Sequence, residues 1–250
     1  KYALSPSMPI FRIVKKFTSG DTVTNRITVI EGWTTRETAD YLDENKYYAK
    51  AIFLASVKRD WSNTFDFLKD KPKSLDLEGY IFPDTYKVQT NESADDFVEK
   101  TLANFDKKLT PELRAEIVRQ KKTIFQIVTM ASLIEKEVKG IEDKKMVSGI
   151  LWKRLSVGMP LQVDATVNFA TGKSDARTKL SDTRVDSPYN TYKYTGLPRG
   201  PISNPGLESI TAAIYPTKSA YWFYLSDSTG KTHFSTTLDE HNTAIYYYLQ

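Results

Sequence analysis

The sequence predicts an α+β fold, with a helix-rich first two thirds packed on a small, mainly antiparallel sheet. Three observations point there. Helical periodicity runs through most of the stretch from Thr34 to Leu155, the character changes to strands and loops beyond Met159, and no alternating βαβ units suggest a doubly wound sheet. With 40% hydrophobic and 26% charged residues, the 250-residue chain has the balance of a folded protein and the length for a real core and a real cleft.

The elements follow in order. Residues 5–19 read as a short helix with Ser7 as N-cap and Ile10, Ile13, Val14 and Phe17 at helical spacing, and Gly20 ends it. TVTNRITVI alternates as a strand over residues 22–30, and a Thr-capped helix follows in TTRETADYL. Short aromatic helices occupy residues 47–67, and LDLEGYIFPDTYKV is a specialised loop with strand ends. An amphipathic helix covers 91–109, and Thr110-Pro111-Glu112 opens another, ending near Lys122. Residues 123–138 form the most apolar helix, and 141–155 form the next. The alternation of LQVDATVNF predicts a strand with Gln162, Asp164 and Thr166 on its polar face. A long Tyr-, Asn-, Pro- and Gly-rich run spans 187–206. A helix in GLESITAAI, a β-hairpin of YWFYLSD and THFSTTL, and a terminal helix in DEHNTAIYYYL complete the chain.

Composition excludes several chemistries. A net charge of +4, from 35 basic and 31 acidic residues, gives no field for nucleic acid. The absence of cysteine excludes disulfides and zinc–thiolate sites, and two histidines are too few for a site of three. Acid–base work therefore leans on carboxylates. His233 and His241 read as packing or capping residues. No run reaches the roughly 18 apolar residues of a membrane span. The opening at Lys1, directly into KYALSPSMPIFRIVKKF, reads as a chain cut from within a longer one.

Glu135 and Glu137 stand out on an otherwise largely apolar helix, and their side chains point about 200° apart, so one cleft cannot use both as neighbours. Glu135 has Lys139 four residues on, a common solvent-facing pairing. Glu137 has no such partner, lies beside Met130 and Leu133, and sits at the helix C-terminus, where the macrodipole disfavours an anion. Both influences push its pKa up, as a general acid requires. The alternative is that both are surface carboxylates. Glu78 in LEGYIFPDTY is a second candidate, or else a loop carboxylate capping backbone amides. Tyr189, Asn190, Thr191 and Tyr192 offer rings and amides suited to stacking on sugars and bonding their hydroxyls, or else a rigid structural loop.

Taken together, VIEGWTTRETADYL, LEGYIFPDTYKV, VTMASLIEKEV, RLSVGMPLQVDATV, SPYNTYKYTGLPRGPISNPG and HFSTTLDEHN, spread from Val29 to Asn242, resemble the MltG-type (YceG-like) endolytic murein transglycosylases. Ala165 departs from the family's usual Pro after the aspartate. The resemblance implies a peptidoglycan lytic transglycosylase that cleaves the MurNAc–GlcNAc bond of nascent strands and leaves 1,6-anhydro-MurNAc ends. It makes Glu137 the catalytic acid and Glu135 a supporting or surface residue. Glu78, Gln162, Asp164, Thr166, Tyr189, Asn190 and Tyr192 become the expected substrate-binding residues, with no metal and no cofactor. It also implies that residues 1–22 end a LysM-like module and 23–250 form the catalytic domain. A single membrane helix would anchor the protein with this domain outside the cytoplasm, beside cell-wall synthases. A peptidoglycan hydrolase, with Glu78 or Asp164 activating water, and a non-catalytic wall-binding scaffold are the competing readings.

Overall fold

The computed structural model describes residues 4–18, 24–173 and 179–249. Among these residues, ten α-helices surround two separate two-stranded antiparallel sheets, so the α+β class holds while the single expected sheet is divided. β1 (Thr24–Thr28) pairs with β2 (Thr85–Gln89), Ile27 facing Tyr86, and this sheet belongs to the first half of the chain. β3 (Phe223–Ser226) and β4 (Thr232–Ser235) form the expected hairpin.

Helix α1 (Ile10–Thr18) is shorter than expected and buries none of its residues. The expected end of that helix at Ser19 and Gly20, and the expected start of the following strand at Thr22, lie outside the described residues. Local capping chemistry sets many of the later boundaries. α2 (Thr35–Glu44) starts with a Thr34–Glu37 capping box, and α4 (Ala94–Lys108) with Ser93–Asp96. α3 (Lys50–Val57) lies between them, and α5 (Pro111–Arg119) carries proline in its first turn after the Thr110 cap. The first half packs around aromatic rings, with Phe105 4.8 Å from Phe67 and 5.3 Å from Tyr80.

α6 (Ile124–Glu137) is the central element. Thr123 and Gln126 form its capping box, and every residue from Ile127 to Ile134 is buried. It packs against α5, α7 (Ile141–Ser156), α8 (Asp164–Thr171) and α9 (Leu207–Ile214), while α10 (Leu238–Tyr248) lies on the β3–β4 hairpin. The segment 201–206 is wholly buried beside it. There Asn204 Oδ1 accepts from Gly79 N at 3.0 Å and Ile81 N at 2.9 Å, while its Nδ2 donates to the Trp33 carbonyl at 2.9 Å. One amide thus ties the LEGY loop and the turn before α2 to the long loop. Gly79 is required at this junction: its φ is +89°, and a Cβ would stand 2.6 Å from Pro201 and 2.8 Å from Val128.

The expected strand LQVDATVNF is not formed. Gln162 adopts a left-handed φ of 54°, and helix α8 begins at Asp164. Thr191 imposes this break, because its carbonyl accepts from Gln162 N at 3.1 Å and its Oγ1 from Val163 N at 3.0 Å. Val163 and Val167, four residues apart, are both buried, so the same apolar residues serve a helical entry as well as a strand. Gln162, Asp164 and Thr166 therefore do not share a strand face.

Candidate active site

A cleft of about 700 Å³ opens beside the C-terminal end of α6, with α8, β3 and α10 contributing walls. Glu137, the last residue of α6, faces it together with Arg154, Gln162, Asp164, Tyr192 and Tyr224. The helix stops there because Val138 turns to extended backbone and Gly140 caps α7. Glu137 is thus the terminal side chain of a helix that is buried from Ile127 to Ile134.

Tyr224 Oη donates to Glu137 Oε2 at 2.9 Å. Burial pushes the Glu137 carboxyl up to about 7; the Asp164 charge adds to the rise, whereas the Tyr224 hydrogen bond and the Arg154 charge oppose it. Arg154 is buried, and its guanidinium is committed to carbonyls: Nε donates to Trp222 O and Nη1 to Leu161 O, both at 2.8 Å. Beside this pair stands a second, in which the Tyr192 hydroxyl donates to Asp164. The cleft therefore holds one protonatable carboxyl next to a phenol-bonded carboxylate, with a fixed cation behind them. Among the described residues no group of three or more His, Asp or Glu side chains is arranged to hold a metal ion.

Of the residues singled out from sequence, the cleft brings together Glu137, Gln162, Asp164 and Tyr192. The others stand behind it or elsewhere. Asn190 is buried, its Nδ2 donating to the carbonyls of Thr183 at 2.9 Å and Val185 at 2.8 Å, while its Oδ1 accepts from Tyr192 N at 3.0 Å. It shapes the loop that carries Tyr192 and has no free amide for a sugar. Thr166 is also buried, donating to the Val163 carbonyl at 2.7 Å and bonded to Thr191 Oγ1 at 2.9 Å. Tyr189 packs on Phe169 at 4.9 Å and shares a small recess with Glu78, outside the cleft lining. Glu78 accepts from Thr35 N, at 3.1 Å through Oε1 and 3.0 Å through Oε2, in the first turn of α2. Burial raises its pKa to about 8, a consequence of its enclosed capping position.

The Glu135–Lys139 pairing expected from spacing is replaced by contacts far off in sequence. Glu135 Oε2 accepts from Gly206 N at 3.0 Å and Ser209 Oγ at 2.6 Å, and Oε1 lies 3.5 Å from Lys144 Nζ. Tyr224 and Arg154 also line the cleft and escaped the sequence reading, and His241, read there as a packing or capping residue, lines it too. The YWFY run fixes a strand but not which ring meets the acid, and an arginine in the last turn of α7 reads as an ordinary dipole-facing cation. RLSVGMP, which begins at Arg154, was the available signal. His241 stacks on Phe223 at 5.2 Å, its Nδ1 is buried without a hydrogen-bond partner, and burial lowers its pKa.

Fold and site define an α+β protein built around a single protonatable carboxyl in a polar and aromatic cleft. The chain belongs to the YceG-like family, whose sequence profile matches residues 1–246. It is 36% identical to the "Endolytic murein transglycosylase" of Bacillus subtilis (strain 168), covering 97% of this chain and 71% of that protein. The protein of the same name from Streptococcus pneumoniae serotype 2 (strain D39) is 31% identical over 96% of this chain, and the chain spans only 49% of its length. A crystal structure of a yceG-like protein from Listeria monocytogenes superposes with a TM-score of 0.80 at 38% identity, covering 97% of this chain and 83% of that one.

Proposed function

We propose that this chain is an endolytic murein transglycosylase that uses Glu137 alone as acid and then base. The carrying observation is the neutral-leaning carboxyl of Glu137, half-buried at the cleft with a pKa of about 7 and held by Tyr224. The naming of the relatives supports the activity and makes peptidoglycan glycan strands the substrate. In the first step Glu137 gives its proton to the glycosidic oxygen as the bond from that oxygen to MurNAc C1 breaks. The C6 hydroxyl of the same MurNAc then attacks C1, and its proton passes to the Glu137 carboxylate, closing a 1,6-anhydro ring and restoring the acid. An internal nucleophile replaces the second carboxylate that ordinary glycosidases hold about 5 to 9.5 Å away, and supplies proximity without water.

Asp164 and the tyrosines carry the electrostatic part. The Asp164 carboxylate, fixed by the Tyr192 hydroxyl, offers negative charge to an oxocarbenium-like centre. Gln162, exposed at the cleft, is free to bond sugar hydroxyls. We read residues 1–22 as the end of a LysM-like module and 23–250 as the catalytic domain, because α1 adds no buried residue to the core. Nascent strands outside the cytoplasm, reached from a membrane anchor beside the wall synthases, are the setting this reading requires.

Hydrolysis is the second reading, favoured by the presence of Asp164 in the same cleft as Glu137. Incubation of uncrosslinked glycan strands with the protein, followed by mass spectrometry of the ends, separates the two. Anhydro ends support the lyase, and reducing ends overturn it in favour of the hydrolase. Equal anhydro yields from the wild type and Glu137→Gln would remove Glu137 from its role.

A further inference from the structure

The residue two positions before the acid is among the most firmly held carboxylates in the protein. Glu135 exposes 9% of its side chain and its partner Lys144 only 3%. The carboxylate receives the backbone N–H of Gly206 at 3.0 Å and the hydroxyl of Ser209 at 2.6 Å. Gly206 is the N-cap position of α9, which no side chain of its own caps, so Glu135 caps α9 from another helix and sits where the α9 dipole favours an anion. Neighbours pack closely on this side: a Cβ on Gly32 would lie in ordinary contact with Glu135 Cγ, at 3.6 Å, and a Cβ on Gly206 would run into the Glu31 carboxylate.

One turn earlier on α6 the same segment is laced again. Ser132 Oγ accepts from Ile202 N at 3.0 Å, and Ser203 Oγ donates to the Ser132 carbonyl at 3.1 Å. The final turn of α6 is thus fastened along the Ile202–Ser209 side. Glu137 projects about 200° away around the same helix, into the cleft and onto Tyr224.

Building on the transglycosylase reading, we infer that Glu135 is a positioning residue: clamped between Lys144 and the N-terminus of α9, it fixes the last turn of α6 so that Glu137 stands against Tyr224 and the scissile bond. It touches no substrate. Its effect falls on the chemical step, because a displacement of the acid by about 1 Å costs on the order of 100-fold in rate while leaving the sugar contacts in place.

The experiment compares kcat and KM for anhydro-end formation, with pH profiles and thermal unfolding, for the wild type, Glu135→Gln, Ser209→Ala and Glu31→Gln. Glu31 borders the same Lys144 charge but lies off α6, so it reports loss of a carboxylate from the cluster without loss of the clamp. Expected are a kcat lower by about 10- to 100-fold for Glu135→Gln, on the scale of a misplaced acid, a smaller loss for Ser209→Ala, KM within threefold of wild type (roughly, as sugar contacts persist), and a displaced alkaline limb in both. Glu31→Gln keeps the wild-type kcat. A kcat for Glu135→Gln equal to wild type overturns the inference, as does equal loss in Glu31→Gln. If Glu135→Gln fails to fold, Ser209→Ala decides alone, and an unchanged kcat and limb there overturn it. Absence of cleavage by the wild type would instead sink the transglycosylase reading, which keeps the two failures apart.

Discussion

Tyr224→Phe should move the alkaline limb of the pH–rate profile to higher pH. The hydroxyl donates to Glu137 Oε2 at 2.9 Å and is one of the influences holding that carboxyl down against burial. A hydrogen bond to a charged acceptor contributes about 1.5–3 kcal/mol, and one pKa unit corresponds to about 1.4 kcal/mol. Removing it should lift Glu137 from about 7 by roughly one to two units. With Glu137 as the proposed proton donor the free acid is the active form, so kcat/KM of the wild type should fall about tenfold per pH unit above its pKa. At pH 8 about a tenth of the wild type is protonated, against about half or more of the variant. The assay follows anhydro-ended products from uncrosslinked strands between pH 5 and 10, each protein normalised to its own rate at pH 6. A limb that stays in place or moves toward acid would refute the assignment of Glu137 as the proton donor held by Tyr224.

The remaining predictions address the same site and its frame. Asp164→Asn removes a negative charge that raises the Glu137 pKa, so its alkaline limb should move to lower pH, opposite to Tyr224→Phe; movement in the same direction contradicts the electrostatic account. Glu137→Gln should lose cleavage by about 10²–10⁴-fold while gaining stability. A carboxyl raised from 4.5 to about 7 holds more protons folded than unfolded between those values, so wild-type stability falls as pH rises through that window. The Gln variant should therefore exceed the wild type by at most about 3 kcal/mol above pH 7 and by nothing below pH 4.5, as read from urea midpoints at both ends. Asn204→Ala strands the amides of Gly79 and Ile81, while the Trp33 carbonyl keeps the backbone N–H of residue 204, and should cost about 2–4 kcal/mol of unfolding free energy by the same denaturation. A loss under about 1 kcal/mol would mean the three segments do not depend on it.

What the sequence made legible is what neighbouring residues decide. The start of α6 follows from Thr123 and Gln126 three residues apart, and its burial from an apolar run, so the helix and the carboxyl at its end could be read directly. α8 could not, because LQVDATVNF satisfies a strand by alternation and a helix by the Val163–Val167 spacing; Thr191, distant in sequence, settles the matter by taking two consecutive amides. Glu135 illustrates the same limit. Lys139 lies at the right spacing to pair with it, yet it stays exposed, and Lys144 with the α9 N-terminus takes the carboxylate instead. Capping a helix that begins beyond residue 205 is invisible to a reading of neighbours.

The distinction between the two carboxylates survives this, for a physical reason. Opposite faces of one helix turn meet different environments, and the sequence shows that they are opposite before it shows what they meet. On the Glu135 side a lysine and a helix terminus supply compensation, with a backbone amide, a hydroxyl and an ammonium gathered around one group. On the Glu137 side the direct hydrogen bond is one phenol, with Arg154 bound to carbonyls and Asp164 adding charge of the wrong sign for an anion. A carboxylate that compensated is held in place as an anchor, whereas one so poorly compensated keeps a proton near neutral pH. On the transglycosylase reading proposed above, the same short stretch of helix provides both a fixed support and a transferable proton, which is why perturbing the first should be felt in the rate at which the second is delivered.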